Sequence, residues 1–297
     1  MRTLPLGRLA LASLLVLAAA CGGSSASVEP GDPSPPGSRP GASSGGSASG
    51  NEDPSGARLT LSLRGSTAPV AHLDAFSGQT PSRQIVAIKS LWLYKSASDA
   101  RPLAVLDLGA RSVETDLVTG ATSDIGTVAL KSLPAGTYTL AKVGVAYVRY
   151  SVASRMHSTL TADGRYDNIQ ALSDGAVIDG QTRAKGWYRY AFAVGATTYG
   201  VLEGAAAPLP QLPSGGGISL ETAGAESFYV FPTAVTIDPN EPRDQRVVCE
   251  VNVHESFRWQ DQEQPGYAAH VYDTTPTVFE PVMAFGANAF SLKLEAK

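Results

Sequence analysis

The spacing of the apolar residues constrains the fold of this chain most strongly, because over much of the sequence it is two rather than the 3.6 of a helix. Leu59, Leu61 and Leu63 alternate with polar residues, as in a strand with one buried face. Residues 85–94 are apolar on both faces and indicate a central strand, and residues 137–152 are a long β-branched and aromatic run. No segment combines a sustained helical period with capping residues. The pattern predicts a mainly β protein.

Turn signals and shorter strand-like runs fill the rest of the sequence. Asp-Gly is the strongest short signal for a hairpin turn, and three such pairs lie close together. We therefore interpret residues 165–180 as a meander or a loop-rich edge, residues 112–124 as the best place for a short helix, and residues 208–217 as a long exposed loop. The Asp-Gly pairs are Asp163-Gly164, Asp174-Gly175 and Asp179-Gly180, and the further predicted strands cover residues 103–108, 128–133, 186–194, 217–220, 228–237, 246–254 and 289–294.

Many short strands separated by turns, with few helices, favour an antiparallel β-sandwich. The segment LPAGTYTL, residues 133–140, resembles the turn-and-strand signature of transthyretin-like and Cna-B-like sandwiches of surface proteins. With its IVAIKSLWLY strand, its LDL strand and this turn, the stretch 59–152 resembles a domain of unknown function common in bacterial lipoproteins. These resemblances imply a sandwich and transfer no catalytic residues. Residues 58–155 would form one β-sandwich domain, and residues 156–297 a second, packed β domain or an extension of the first.

The first twenty residues predict a signal peptide. Arg2 and Arg8 precede an apolar run over residues 9–20, which at about 12 residues is too short for the ~20 that span a bilayer. Three alanines then precede Cys21, and the stretch LAAAC resembles the lipobox of bacterial lipoproteins. In that family the cysteine thiol receives a diacylglycerol and the chain is cut before it. The resemblance implies a lipid anchor at Cys21, and the alternative is an ordinary secretory signal followed by a chance cysteine.

Residues 21–57 are predicted to be the lipidated cysteine and a disordered linker. About four fifths of the linker is Gly, Ser, Pro or Ala, so it has little to bury against the entropy of ordering. As a flexible coil it would reach about 30–36 Å, and a glycosylated stalk is the alternative. Lipoproteins kept at the inner membrane commonly carry Asp after the cysteine. Gly22 stands there, so the resemblance favours the outer membrane of the bacterial envelope.

The net charge argues against a nucleic-acid partner, and the cysteine content argues against a disulfide. The net charge is −4, and about −6 once Arg2 and Arg8 leave with the signal peptide, so nothing indicates a nucleic-acid partner. With Cys21 lipidated, Cys249 has no second cysteine for a disulfide. Cys249 shares an alternating face with Val247 and Val251, and we interpret it as a buried small hydrophobe rather than a reactive thiol.

Two groups of polar residues are candidate metal ligands. By their spacing of two, Glu250, Asn252 and His254 share one face of a predicted strand, and Glu250 and His254 are candidates for zinc. The alternative is the solvent face of that strand. Calcium, which prefers oxygen ligands, has its candidates in the glycine-rich stretch, with a second acidic cluster at residues 238–241. The alternative is that these aspartates stabilise turns. The calcium candidates are Asp163, Asp167, Asp174 and Asp179.

Aromatic residues offer a lead toward a binding surface. Within residues 187–190, Trp187 and Arg189 would face one way and Tyr188 and Tyr190 the other. An exposed aromatic face suits a sugar or a protein surface, and core packing is the alternative. The same choice applies to the other two tryptophans, Trp92 and Trp259.

No established catalytic motif is present: the sequence lacks GxSxG, HExxH, a Walker loop and GxGxxG. We therefore expect a lipid-anchored envelope protein that acts as a non-enzymatic binding or structural module, with a protein or a glycan as its ligand and no required cofactor. The alternative is a secreted, glycan-directed hydrolase with an unrecognised carboxylate pair. Its candidate carboxylates are Glu203, Glu221, Glu250 and Glu255.

Overall fold

A computed structural model describes residues 56–207, 209–210, 212 and 217–297. The predicted signal peptide, Cys21, nearly all of the predicted linker and part of the predicted loop 208–217 lie outside the described residues. Strands make up 58% of the structure, and the prediction of a mainly β protein is confirmed. The described helix is a single 3-10 turn, Leu130–Ser132. Across the described ranges, no helix combines the length and apolar character needed to cross a membrane.

Nineteen strands are described in all. In chain order they are β1 (Arg58–Ser66), β2 (Ser77–Gln79), β3 (Arg83–Tyr94), β4 (Leu103–Asp107), β5 (Val113–Asp116), β6 (Thr122–Ala129), β7 (Gly136–His157), β8 (Thr161–Ala171), β9 (Ala176–Ile178), β10 (Gln181–Arg183), β11 (Tyr188–Val194), β12 (Thr197–Gly204), β13 (Ser219–Ala223), β14 (Glu226–Ile237), β15 (Gln245–Asn252), β16 (Phe257–Trp259), β17 (Asp273–Thr274), β18 (Val282–Ala284) and β19 (Ala289–Ala296).

These strands form a large sheet, a small sheet and two short additions. The large sheet has ten strands, with β7 at its centre between β3 on one side and β8 and β14 on the other. The small sheet has four strands in the order β19-β15-β1-β6. Strands β9 and β10 form a hairpin, and β2, β16 and β18 form a three-stranded sheet. Most pairs are antiparallel, but β1 and β15 are parallel, as are β7 and β17.

The two main sheets pack face to face, which confirms the predicted sandwich. Leu59, Leu61 and Leu63 of β1 are each at most 1% exposed and lie in one core with apolar residues of β3, β7 and β14. Full burial of such a side chain contributes about 1.5–3 kcal/mol. A second core, richer in aromatic rings, lies where the same large sheet meets β16 and the segment that follows β17. The alternation read from the sequence thus identifies the buried face of β1.

Segments from both predicted domains share the same sheets. Strand β1 pairs along its length with β15, which begins at Gln245. The predicted boundary at residues 155 and 156 falls within β7, and the following strand, β8, pairs with it. Residues 51–297 cluster as one unit by contacts between their Cα atoms.

Local predictions were wrong in three places. The predicted strand over residues 128–133 ends at Ala129, and the 3-10 turn Leu130–Ser132 follows it. Residues 112–124 hold β5 and the start of β6 instead of a helix, because they pair with β3 and β1 and this long-range pairing overrides local preference. The pair Asp163-Gly164 lies inside β8, which continues to Ala171, rather than in a turn. A Cβ on Gly164 would lie 2.7 Å from the Phe192 ring, so the glycine permits a close approach of β8 and β11.

Candidate functional site

Four arginines lie on one face of the large sheet, on neighbouring strands. In the pairing register Arg149 of β7 faces Ile169 of β8, and Ile169 faces Arg189 of β11. One row along, Arg83 of β3 faces Ser151 of β7. Residues directly opposite each other project from the same face, as do residues two apart in one strand. The arginines on this face are Arg83, Arg149, Arg165 and Arg189.

These four arginines line a cleft of about 430 Å³, which we call the arginine cleft. Ser82, Ser151 and Ile169 form further parts of its wall. Among the described residues that line it, Asp167 is the one acid, so the cleft is locally cationic although the whole chain carries a net charge of −4. Because each guanidinium is a planar fork of donors, such a surface suits carboxylate and phosphate groups.

Two of the four arginines have partners and two do not. Arg149 donates to Asp179 at 2.7 Å and lies 3.6 Å from Glu114, while Arg165 contacts Asp167 at 3.1 Å. Arg83 and Arg189 are exposed, and neither has an ion pair or a hydrogen-bonded side-chain partner among the described residues. The cleft therefore keeps two guanidinium groups that are available to donate hydrogen bonds, although Asp179 attracts Arg189 at longer range.

The four calcium candidates are separated from one another and are engaged elsewhere. Asp163 accepts from Arg155 at 2.6 Å, and Asp167 accepts from Ser151 at 2.6 Å as well as pairing with Arg165. Asp174 caps a backbone N–H with a 2.7 Å hydrogen bond. The hydrogen bond from Arg149, with further cations nearby, lowers the pKa of Asp179. Cations and backbone groups thus occupy these carboxylates, and calcium binding here stays a prediction.

The other face of the same strands holds a second cavity, of about 290 Å³, which we call the aromatic cavity. Tyr150, Asn168 and Tyr190 face one another across β7, β8 and β11 at its wall. Asn168 is 8% exposed, and its Oδ1 atom has no hydrogen-bond partner among the described residues. Burial raises the pKa of Glu280, which also lines the cavity. The volume is at the lower end of ligand pockets, about 300–1,000 Å³.

The tryptophans are mostly engaged in packing. Trp259 is 1% exposed and belongs to the aromatic core. Trp187 packs against a small apolar cluster under β9 and β10, donates its indole N–H to Glu203 at 2.9 Å, and has Arg183 over its ring at 4.1 Å. Trp92 is half-buried. Tyr188 and Tyr190 face the same way, as the alternation indicated, with their ring centroids 4.8 Å apart.

Each candidate carboxylate for hydrolysis has a cationic or hydrogen-bonding partner. Besides its bond to Trp187, Glu203 lies 3.8 Å from Arg183. Glu221 accepts from Lys142 at 2.6 Å. Glu250 lies 3.7 Å from Arg64 and 3.6 Å from Lys293. The last candidate, Glu255, lies 3.6 Å from Arg258.

A serine, a histidine and an aspartate also meet near β2, and the sequence patterns did not indicate this group. Ser77 Oγ donates to Asp261 Oδ2 at 2.6 Å and lies 2.8 Å from His270 Nδ1. In a catalytic triad the histidine lies between the serine and the acid, so that it can take the serine proton. Here the serine lies in the middle and its proton points to the acid. The arrangement ties three segments together and does not activate Ser77 as a nucleophile.

The zinc candidates separate in the structure. Glu250 is engaged with the cations of β1 and β19, whereas His254 lies just beyond the end of β15, close to His72 and Glu255. The ligand atoms of His72, His254 and Glu255 all lie within 4.8 Å of one another. His72 comes from the segment between β1 and β2, where no sequence pattern indicated a metal ligand.

Cys249 is a buried, unpaired thiol, as its position in the alternating pattern indicated. It is 4% exposed and packs in the core between the two main sheets. Burial and, to a lesser extent, the nearby charge of Glu250 raise its pKa to about 12. The thiol is therefore unsuited to nucleophilic chemistry near neutral pH.

Comparisons with known proteins give no indication of function. Models of protein families, curated proteins and solved structures yield no match to this chain.

Proposed function

We propose that this chain is a lipid-anchored protein of the bacterial envelope, attached through Cys21, whose β unit binds an anionic ligand in the arginine cleft without transforming it. The N-terminal sequence supports the anchor, because Cys21 follows an apolar run and three alanines, as the cysteine of a lipobox does. The arginine cleft is the observation that supports the binding role, since it gathers four arginines and a single acid among its described lining residues.

The placement of the arginines brings like charges close together on one sheet face. Arg149 and Arg189 flank one isoleucine across three adjacent strands, and like charges in such positions repel each other. Asp179 and Glu114 offset Arg149, and Asp179 also attracts Arg189, but neither Arg83 nor Arg189 has an ion pair or a hydrogen-bonded side-chain partner within the described part of the chain. A bound phosphate or carboxylate would remove the repulsion and use both free forks.

The position of the cleft favours a glycan over an extended peptide. The arginines lie in the interior of a sheet face, where backbone groups are already paired with neighbouring strands. A peptide that adds to a sheet as a strand needs a free edge, and the cleft does not provide one. Side-chain donors alone recognise the ligand, which suits a sugar that carries a phosphate or a carboxylate.

The binding experiment compares charged and neutral sugars of similar size. Glucose 6-phosphate, galacturonate and glucose are titrated into the purified protein at low and high salt, and heat release is measured. We expect the two anionic sugars to bind, more weakly at high salt, and glucose not to bind. The double variant Arg83→Gln, Arg189→Gln should weaken binding at least about 100-fold, since each of the two charged hydrogen bonds contributes roughly 1.5–3 kcal/mol. Arg101→Gln, an exposed arginine on the loop after β3, is the control.

Equal binding of glucose, or full binding by the double variant, would exclude the arginine cleft as an anion site. If a poly-glutamate peptide binds much more tightly than either sugar, the ligand is an acidic protein segment and the glycan assignment is wrong. The anchor has its own test: Cys21→Ser should move the protein from the membrane fraction to the soluble fraction. Retention in the membrane fraction would contradict lipid attachment at Cys21.

A further inference from the structure

Two segments far apart in sequence bring two imidazoles and a carboxylate together. The segment between β1 and β2 carries His72, and the turn between β15 and β16 carries His254 and Glu255. One ligand atom of each residue lies within 4.8 Å of the others. The two imidazole rings are nearly parallel, with an interplanar angle of 17° and centroids 6.3 Å apart. An ion that binds both imidazoles would lie at the ring edges, in line with a nitrogen lone pair of each ring, and not between the ring faces.

His72 presents a buried nitrogen without a protein partner. Its side chain is 8% exposed, and its Nε2 atom has no hydrogen bond among the described residues. The nearest acid atom, Glu255 Oε2, is 4.0 Å away, which is too far for a hydrogen bond. An unsatisfied buried polar atom costs stability and calls for an explanation. A metal ion bound to Nε2 would satisfy the atom.

The backbone of the turn is built to hold the other two ligands in place. Glu255 has a φ of 45°, in the left-handed region that non-glycine residues rarely adopt outside special sites. Its N–H donates to Thr80 Oγ1 at 2.8 Å. The N–H of His254 donates to Asn252 Oδ1 at 3.1 Å. These two bonds fix the direction in which both side chains leave the turn.

The contacts that compete with a metal are weak. The backbone N–H of Val70 donates to His254 Nδ1 at 3.4 Å, a long hydrogen bond that costs little to release. Arg258 lies 3.6 Å from Glu255, but this buried arginine is held by stronger contacts. It donates to Asp74 through a short hydrogen bond and to the carbonyl oxygen of Phe76 at 2.7 Å. If Glu255 moves away to bind an ion, Arg258 therefore still has an acidic partner, Asp74.

We propose that His72, His254 and Glu255 bind a zinc ion. Two imidazole nitrogens and a carboxylate oxygen are a common protein ligand set for zinc, whereas calcium and magnesium prefer oxygen alone. Ligand atoms about 2.0–2.2 Å from a tetrahedral ion lie roughly 3.3–3.5 Å apart, so the group must contract slightly. Glu255, whose side chain is 43% exposed, can supply that movement. A water molecule would complete the tetrahedral set as the fourth ligand.

This site is independent of the arginine cleft, since it uses other strands and other residues. The ion would connect the segment after β1 to the turn after β15. These two segments are already joined by the hydrogen bond from Asn252 to the carbonyl oxygen of Ala68 at 2.9 Å. We therefore expect zinc to stabilise the native state against unfolding, in addition to binding with measurable affinity.

The test is a zinc titration of the purified full chain after a chelator has removed bound metal. Heat release gives the stoichiometry, and cobalt(II) in place of zinc reports tetrahedral geometry through its visible absorption. We expect one ion per chain. His72→Gln, His254→Gln and Glu255→Gln should each weaken binding more than about 100-fold, because loss of an outer-shell partner alone costs about 10–100-fold. The matched controls are Glu250→Gln and His270→Gln, which should bind as the unsubstituted protein does.

A second measurement separates a metal ligand from a structural histidine. In the metal-free protein His72→Leu should melt at or above the unsubstituted chain, because it removes an unsatisfied buried nitrogen, and zinc should no longer raise its melting temperature. Zinc binding that survives all three ligand substitutions, or that Glu250→Gln abolishes, would overturn the proposal. So would the absence of zinc binding by the unsubstituted chain, or a metal-free His72→Leu protein that melts far below it.

Discussion

The central leucine of β1 gives a direct test of the sandwich. Leu61 is 1% exposed and lies between the small sheet and the large sheet. Leu61→Ala removes three carbon atoms, worth about 2.4 kcal/mol at roughly 0.8 kcal/mol each. The cavity left between two paired sheets adds to this, so we expect a total loss of about 3–5 kcal/mol. At roughly 2–4 °C per kcal/mol for 150–250 residues, the melting temperature should fall by about 6–20 °C.

Urea unfolding followed by circular dichroism, together with scanning calorimetry, measures this loss. Leu294→Ala is the matched control, because Leu294 belongs to the same small sheet but lies on the edge strand β19 and is 36% exposed. That control should lose less than about 1 kcal/mol. If the two variants lose equal stability, or if Leu61→Ala loses less than about 1 kcal/mol, the Leu61 side chain is not enclosed between the two sheets and the reasoning fails.

Two further predictions concern buried ionisable groups. Because burial raises the pKa of Cys249 to about 12, a thiol reagent at pH 8 should not modify the native protein and should modify it fully in denaturant; rapid native labelling would contradict this. Because burial raises the pKa of Glu280 above 4.5, the folded state favours the proton, and stability should decrease as pH rises from about 4.5 through the folded pKa. In urea unfolding across that pH range, the free energy of unfolding of Glu280→Gln should decrease less steeply with pH than that of the unsubstituted protein. An equal pH dependence in the two proteins would refute this prediction.

The sequence was informative wherever burial follows a local period. Alternation marked the buried leucines of β1 and the buried position of Cys249, and continuous apolar runs marked β3 and β7. The Asp179-Gly180 turn was also readable, because both residues have positive φ between β9 and β10. These features depend only on residues near one another in the chain.

Features that depend on pairing between distant segments could not be predicted from the sequence. The parallel pairing of β1 with β15 joins residues more than 180 positions apart and leaves no local signal. The arginines of the cleft come from four strands, and only the register of those strands brings them to one face. His254 was found because Glu250, Asn252 and His254 follow one another at a spacing of two, but β15 ends at Asn252. The chain turns there, and Glu255 rather than Glu250 approaches His254.

The position of β1 has a mechanical consequence for a protein held by its N-terminus. Any pull along the chain ahead of Arg58 acts first on β1, which has hydrogen-bonded neighbours on both sides, β6 and β15. A pull along the strand axis loads both ladders in shear, so many hydrogen bonds share the force at once. An edge strand would instead peel away one bond at a time. The proposed tether would thus enter the protein at a strand that resists extraction.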